Sequence, residues 1–321
     1  MGYFLAITWF TVLIAVVAFL CEYLDSSLGM GYGTTLTPVL LLFGFEPTQI
    51  VPAVLLSEFI TGLLSGVFHT LFQNVQLSSN KQINNRSAES TPEGYGSSNF
   101  SEHHSLMTSK RNNALLDKLR NLTEDTKVIS ILAIFGVLGT IIAAVLSTIF
   151  SYTVITKCII KLYIGTMVLA MGLVILVFIN KTRKFSFKKI VLLGAIAGFN
   201  KGISGGGYGP ITVSGQILSG RESRNAIGST SLAEGIVCFA GVITYIITNI
   251  IQSSVLGTGL YIGEFSIAPY LIIGAIISAP LAALTTKKIS NRWIKVSIGI
   301  ATILLGIFSL SKTLSDFLGF W

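Results

Sequence analysis

Residues 201–210 read Lys-Gly-Ile-Ser-Gly-Gly-Gly-Tyr-Gly-Pro, and residues 25–34 read Asp-Ser-Ser-Leu-Gly-Met-Gly-Tyr-Gly-Thr. Overlaid at a shift of 176 residues, they align Gly31-Tyr32-Gly33 with Gly207-Tyr208-Gly209. The match runs outward without a gap: Gly44 meets Gly220, Glu46 meets Glu222 and Glu58 meets Glu234. Further along, at a shift of 134, Lys161 meets Lys295, Gly165 meets Gly299 and Gly172 meets Gly306. An ordered series of this kind marks an internal repeat. The first half comprises residues 1–74 and 128–180, the second residues 188–321, and a polar insertion at 75–127 has no counterpart in the second half.

Composition places both halves in lipid. Of 321 residues, 51% are hydrophobic and 11% charged, against about 25% charged in soluble domains. Tyr3–Leu20, Val128–Thr156, Leu162–Asn180, Phe265–Thr286 and Val296–Ser311 contain no Asp, Glu, Lys or Arg. Each approaches the length that crosses about 30 Å of hydrocarbon as a helix. The N-terminal apolar run lacks a basic start and a cleavage pattern, so it reads as the first membrane helix rather than a leader. Cys21, Cys158 and Cys238 lie in or beside apolar segments without C-x-x-C spacing, which points to neither a disulfide framework nor a zinc site. The expected fold is an all-α membrane protein with about eight to ten transmembrane segments.

The net charge of +8 does not point to nucleic acid, because of where it lies. Lys181, Arg183, Lys184, Lys188 and Lys189 crowd one short loop; Lys287, Lys288, Arg292 and Lys295 crowd another. Basic short loops mark the cytoplasmic face. The 251–263 connection, free of Lys and Arg, then falls outside.

Each half carries five apolar segments, near 3–24, 34–44, 48–74, 128–150 and 157–179, then 188–200, 206–219, 225–250, 265–286 and 293–313. With both basic loops inside, each half crosses an odd number of times. The halves then enter from opposite sides, with both termini outside, as in inverted-repeat transporters. Segments 34–44 and 188–200 are too short to span and, with 206–219, read as half-helices; the pairs 3–24/34–44 and 188–200/206–219 are re-entrant hairpins or broken spans with Gly-rich tips. The insertion contains sequons at Asn85, Asn99 and Asn121; the two basic loops outweigh them and keep it cytoplasmic.

Glycines let backbone N–H groups approach a ligand, and a helix starting at such a cluster aims unpaired N–H groups and its positive dipole end there. An anion is the ligand this arrangement favours; Pro210 suits the first turn of the second such helix. Gly29, Gly31, Tyr32, Gly33, Ser204, Gly205, Gly206, Gly207 and Tyr208 are accordingly the candidate substrate-binding residues, together with Lys201. The bland alternative is that the glycines only permit close helix packing.

Asp25, Glu58, Lys201 and Glu234 are ionisable residues in or beside apolar stretches, and so functional candidates. Asp25 and Lys201 occupy equivalent positions, which leaves two readings: a buried ion pair, or a lysine charge offered to a bound anion and tuned by Asp25. Glu58 and Glu234 either take up protons or accept hydrogen bonds from the glycine-tip backbone. His69, His103 and His104 have no carboxylate or cysteine at metal-ligand spacing, so no metal and no cofactor is implied.

With these residues the chain resembles the sulfite exporter TauE/SafE family, also called the toluene-sulfonate uptake permease family. The likeness rests on Gly29–Pro38, Gly205–Pro210, Gly44–Glu58 and Arg224–Glu234, and covers nearly all but the 75–127 insertion. It implies a permease for sulfur-containing oxyanions such as sulfite, sulfonates or sulfoacetate. Its partners are then a small anion and the bilayer; protons join them as a coupling ion on the first of the two readings of Glu58 and Glu234, and the oligomeric state is open. One departure stands out: Pro38 of the first half is matched by Ser214 in the second, which puts the geometry of the second short helix in question. Two rivals remain. The Gly-Tyr-Gly pairs suggest a carbonyl-lined ion channel, although four such loops would require a dimer. An intramembrane enzyme lacks any nucleophile and histidine at a recognisable spacing.

Overall fold

The computed structural model describes residues 2–29, 31–77, 123–150, 154–177, 186–256, 265–286 and 291–318. The basic loops at 181–184 and 287–288, the sequons, His103, His104 and most of the 251–263 connection lie outside the described residues.

Among the described residues the structure is all-α, built from ten longer helices: α1 (Gly2–Leu28), α2 (Tyr32–Leu42), α3 (Pro47–Leu71), α4 (Glu124–Phe150), α5 (Val154–Val177), α6 (Phe187–Ser204), α7 (Tyr208–Leu218), α8 (Ser223–Leu256), α9 (Ala268–Thr285) and α10 (Asn291–Leu318). Each corresponds to one expected apolar segment. Six contain stretches long and apolar enough to cross a membrane: Trp9–Leu28, Pro47–Leu71, Glu124–Ile149, Lys157–Val174, Ser223–Val255 and Ala268–Thr285. Helices α2 and α7 have 11 residues each, so the exchange of Pro38 for Ser214 leaves their lengths equal. Helix α6 runs four residues past the expected 188–200 segment and takes Lys201 into its last turn. Gly202 permits this, since it packs directly on the Thr140 carbonyl.

Two compact units divide the chain: residues 1–75 with 128–321, and residues 76–127. In the second, Gln76 N donates to Asp125 Oδ2 at 2.9 Å, and Thr123 Oγ1 donates to the Gln76 carbonyl at 2.6 Å.

In the larger unit, exposure is inverted relative to a soluble protein. Trp9, Ile134, Ile159, Leu192, Val255 and Ile273 are exposed, whereas Thr34, Thr37, Ser57, Thr61, Glu58 and Lys201 are buried. Lipid outside gives no hydrophobic drive between helices, so association rests on close packing through small residues. A Cβ on Gly198 would lie 2.6 Å from Gly136 Cα, and one on Gly62 would lie 3.1 Å from Gly235 Cα.

The contacts reveal relative directions. Gly62 meets Gly235 and Ser231, Gly66 meets Leu232, and Gly228 meets His69, so α3 and α8 are antiparallel. Gly165 meets Leu310 while Gly172 meets Gly299 and Ile303, so α5 and α10 are antiparallel too. By contrast, α4 and α6 are parallel: Leu132 meets Gly194, Gly136 meets Gly198, and Thr140 meets Gly202. Helices α1 and α9 are also parallel, with Ala15 beside Gly274 and Tyr23 Oη donating to Thr285 Oγ1 at 2.9 Å. Two sequence-equivalent long pairs, α3 with α8 and α5 with α10, thus cross head to tail, and the first helix of each half lies along the fourth helix of the other.

Candidate functional site

The site forms where α1 gives way to α2 and α6 to α7. Both short helices begin at the tyrosine of the Gly-Tyr-Gly run, and both N-caps are glycines at positive φ: Gly31 at 98° and Gly207 at 82°. L side chains rarely adopt that conformation. Neither N-cap has a side chain to satisfy the first-turn N–H groups, so these donors seek partners elsewhere.

In the first tip the partners are carboxylates. Gly31 N donates to Asp25 Oδ1 at 2.7 Å, and Gly33 N donates to Glu58 Oε1 at 3.1 Å. In the second tip they are hydroxyls. Gly207 N donates to Thr34 Oγ1 at 2.8 Å, and Gly206 N donates to Ser204 Oγ at 3.1 Å. Ser204 Oγ in turn donates to the Asn200 carbonyl at 2.7 Å.

The two tips are in direct contact. A Cβ on Gly33 would overlap the Gly205 carbonyl, and one on Gly206 would lie 2.6 Å from Gly33 C and Thr34 N. Thr37 Oγ1 donates to the Ser204 carbonyl at 2.9 Å, tying the tips together. Both tyrosine rings are fully buried. Their hydroxyls anchor the short helices: Tyr32 Oη lies 3.1 Å from Ser57 Oγ, and Tyr208 Oη donates to the Leu132 carbonyl at 3.1 Å.

Lys201 lies at the centre with no exposed surface. Its Nζ ion-pairs with Glu58, and with Glu234 Oε1 at 2.7 Å. The alternative pairing with Asp25 is not formed; Asp25 spends an oxygen on Gly31 N instead. A line of contacts therefore runs from Gly33 N through Glu58 and Lys201 to Glu234. Burying these charges costs several kcal/mol per ion, roughly recovered only if each finds partners. Cys238 adds one, its Sγ donating to Glu58 Oε2 at 3.6 Å. Oxygens of Asp25, Glu58 and Glu234 lie within 4.8 Å of one another.

Glu22, Asp25, Ser26, Glu58, Thr61, Gly62, Ser231 and Glu234 line a cavity beside the lysine. Its volume is about 10 Å³, roughly the space one water needs. Glu22 is not conspicuous in the sequence, because it falls within the first apolar segment, 3–24. Glu22 stands three residues before Asp25 and four before Ser26, a spacing that puts all three on one helix face. His69 also has a role in the structure: its Nε2 lies 2.9 Å from the Ser26 carbonyl and its Nδ1 3.0 Å from Asn74 Nδ2. Further from the centre, Glu46 binds Lys161 at 3.1 Å, joining two residues of the repeat series.

The family model described as "Sulfite exporter TauE/SafE" matches residues 111–309. A relative from Bacillus subtilis (strain 168), "Probable membrane transporter protein YtnM", is 26% identical over 312 residues, covering 93% of this chain and 82% of the relative.

Proposed function

This chain belongs to the sulfite exporter TauE/SafE family of membrane transporters, and we propose that it moves a small sulfur-containing anion, such as sulfite, a sulfonate or sulfoacetate. The observation that carries this reading is the position of Glu58. Its carboxylate bridges a helix-start N–H, that of Gly33, and the buried Lys201 ammonium. An oxyanion seeks that same pair of partners, a backbone donor at a helix N-terminus and a fixed cation. Glu58 is thus an internal stand-in for substrate. The arriving anion displaces it, taking Lys201 and the Gly33 N–H.

Displacement leaves Glu58 buried without its cation, and proton uptake at Glu58 or Glu234 removes that cost. Anion movement is thereby coupled to protons. N–H donors rather than carbonyls face the ionisable centre at Gly31 and Gly33, which favours this reading over a potassium-type filter.

We infer further that the two halves form an inverted repeat: residues 1–74 with 128–180, and residues 188–321. The antiparallel crossings of α3 with α8 and α5 with α10 support this, because helices related by an axis in the membrane plane run in opposite directions. With the basic loops at the cytoplasmic face, both termini and the 251–263 connection are outside and the 75–127 insertion is inside.

The test is counterflow of radiolabelled sulfite, sulfoacetate and an aryl sulfonate in proteoliposomes holding the purified protein. Exchange of at least one, absent with Lys201→Ala, is the expected result. Potassium flux with no anion exchange overturns the reading.

A further inference from the structure

We propose that Glu22 is the residue that loads the coupling proton, a role resting on the proton-coupled reading above but assigned to a different carboxylate. Four carboxyl groups line the water-sized cavity, and three have partners for their charge. Glu58 and Glu234 hold Lys201, and Asp25 accepts from Gly31 N. Glu22 differs: Ser26 Oγ donates to its Oε1 at 2.6 Å, while Oε2, buried with the residue only 2% exposed, has no hydrogen-bond partner.

The lining explains what Oε2 lacks. Each hydroxyl there already has an acceptor for its hydrogen: Ser26 on Glu22, Thr61 on the Ser57 carbonyl at 3.1 Å, and Ser231 on the Ile227 carbonyl at 3.2 Å. The hydroxyl and carboxyl groups of the lining thus present acceptors. A buried carboxylate oxygen among acceptors is satisfied by bringing its own hydrogen, since an unpaired buried charge is far costlier than a neutral acid. The titratable and charged groups around it are Cys21 and Asp25 on α1, Tyr32 on α2, Glu58 and His69 on α3, Glu234 on α8 and Lys201 on α6. Helix α9, packed along α1, contributes no charged side chain. The one cation in this set is held by Glu58 and Glu234.

The step balances simply. A proton from hydronium on one side adds to Glu22 Oε2, giving a neutral acid and leaving water. It passes across the cavity to Glu58 when substrate displaces Glu58 from Lys201; when the anion departs, Glu58 releases the proton to water on the other side and re-forms its pair with Lys201, and Glu22 is ready for the next proton.

The test uses the purified full chain and has two arms. In the first, infrared spectra without any anion look for the carbonyl band of a buried protonated carboxyl. The band is expected in the native protein and in Glu22→Asp, to be absent in Glu22→Gln, and to be insensitive to sodium. In the second, proteoliposomes compare pH-gradient-driven uptake with gradient-free exchange of the labelled anion. Glu22→Gln lowers the driven component about tenfold more than it lowers the exchange, whereas Glu22→Asp keeps both. A band unchanged in Glu22→Gln, a band removed by sodium, or full pH-driven uptake by Glu22→Gln overturns the proposal. Failure of the anion reading appears separately, as absent exchange in the native protein with the infrared result intact.

Discussion

Lys201 and Glu58 come from opposite halves of the chain and form an ion pair closed to solvent and lipid alike. The pair joins the end of α6 to the middle of α3, and Glu58 carries it on to the backbone of the first glycine tip. On the function proposed above, the halves change their relation to expose a site alternately to the two sides, and this contact lies across them.

Removing the lysine is the most direct probe. Lys201→Ala is expected to abolish anion exchange and to lower stability by about 3–5 kcal/mol, because Glu58 and Glu234 are left buried without a cation. Counterflow and thermal unfolding in detergent measure the two effects. Since protonating both acids offsets the stability loss, Lys201→Ala unfolds later at acid pH than at neutral pH, relative to the native protein. Normal exchange by Lys201→Ala sinks the positive-site model.

Glu58→Gln keeps an oxygen able to accept from Gly33 N but gives up the charge. The expected result is a folded protein whose exchange rate responds less to pH, with weakened competition for Lys201 and tighter anion binding. Exchange measured across a pH series reads this out. A pH profile identical to that of the native protein contradicts proton uptake at Glu58.

Gly33→Ala and Gly44→Ala separate crowding from backbone strain. A methyl on Gly33 meets the Gly205 carbonyl, whereas a methyl on Gly44 meets nothing within 4 Å, although its φ is 92°. Overpacking costs about 1–3 kcal/mol or more; a left-handed φ at a non-glycine residue costs roughly 1–2 kcal/mol. Gly33→Ala is expected to abolish transport, and Gly44→Ala to lower the melting temperature while exchange continues. Equal transport by the two variants argues against functional contact between the tips.

His69→Ala probes the anchoring of α1. The substitution leaves the buried Ser26 carbonyl without its partner, a loss of about 1–3 kcal/mol. Reduced thermal stability with unchanged choice among anions is the expected outcome; altered selectivity instead places His69 in the site.

Topology is open to labelling. Single cysteines at Lys184 and Thr258, in an otherwise cysteine-free chain, are expected to react with impermeant reagents from the cytoplasmic and outer sides respectively. Labelling of both from one side rejects the inverted arrangement.

Most of the scaffold was legible in the sequence. Runs of apolar residues without charge identify membrane helices because lipid accepts few others, and the repeated glycine runs marked where two chain segments break at equivalent places. The ten apolar segments recur as ten helices, and Lys201, Glu58, Glu234, Asp25 and the glycines converge as a cluster. Which charge meets which was decided by tertiary structure alone. Sequence equivalence set Asp25 opposite Lys201, yet only the crossing of α3 with α8 brings Glu58 and Glu234 together around the lysine. Glu22 shows the same limit. Its helical spacing from Asp25 was readable, but the missing partner for its second oxygen depends on Thr61 and Ser231, which arrive from distant parts of the chain. Local pattern determines where a helix starts and which face is apolar; the partners of a buried charge depend on how the helices pack, and no single segment carries that information.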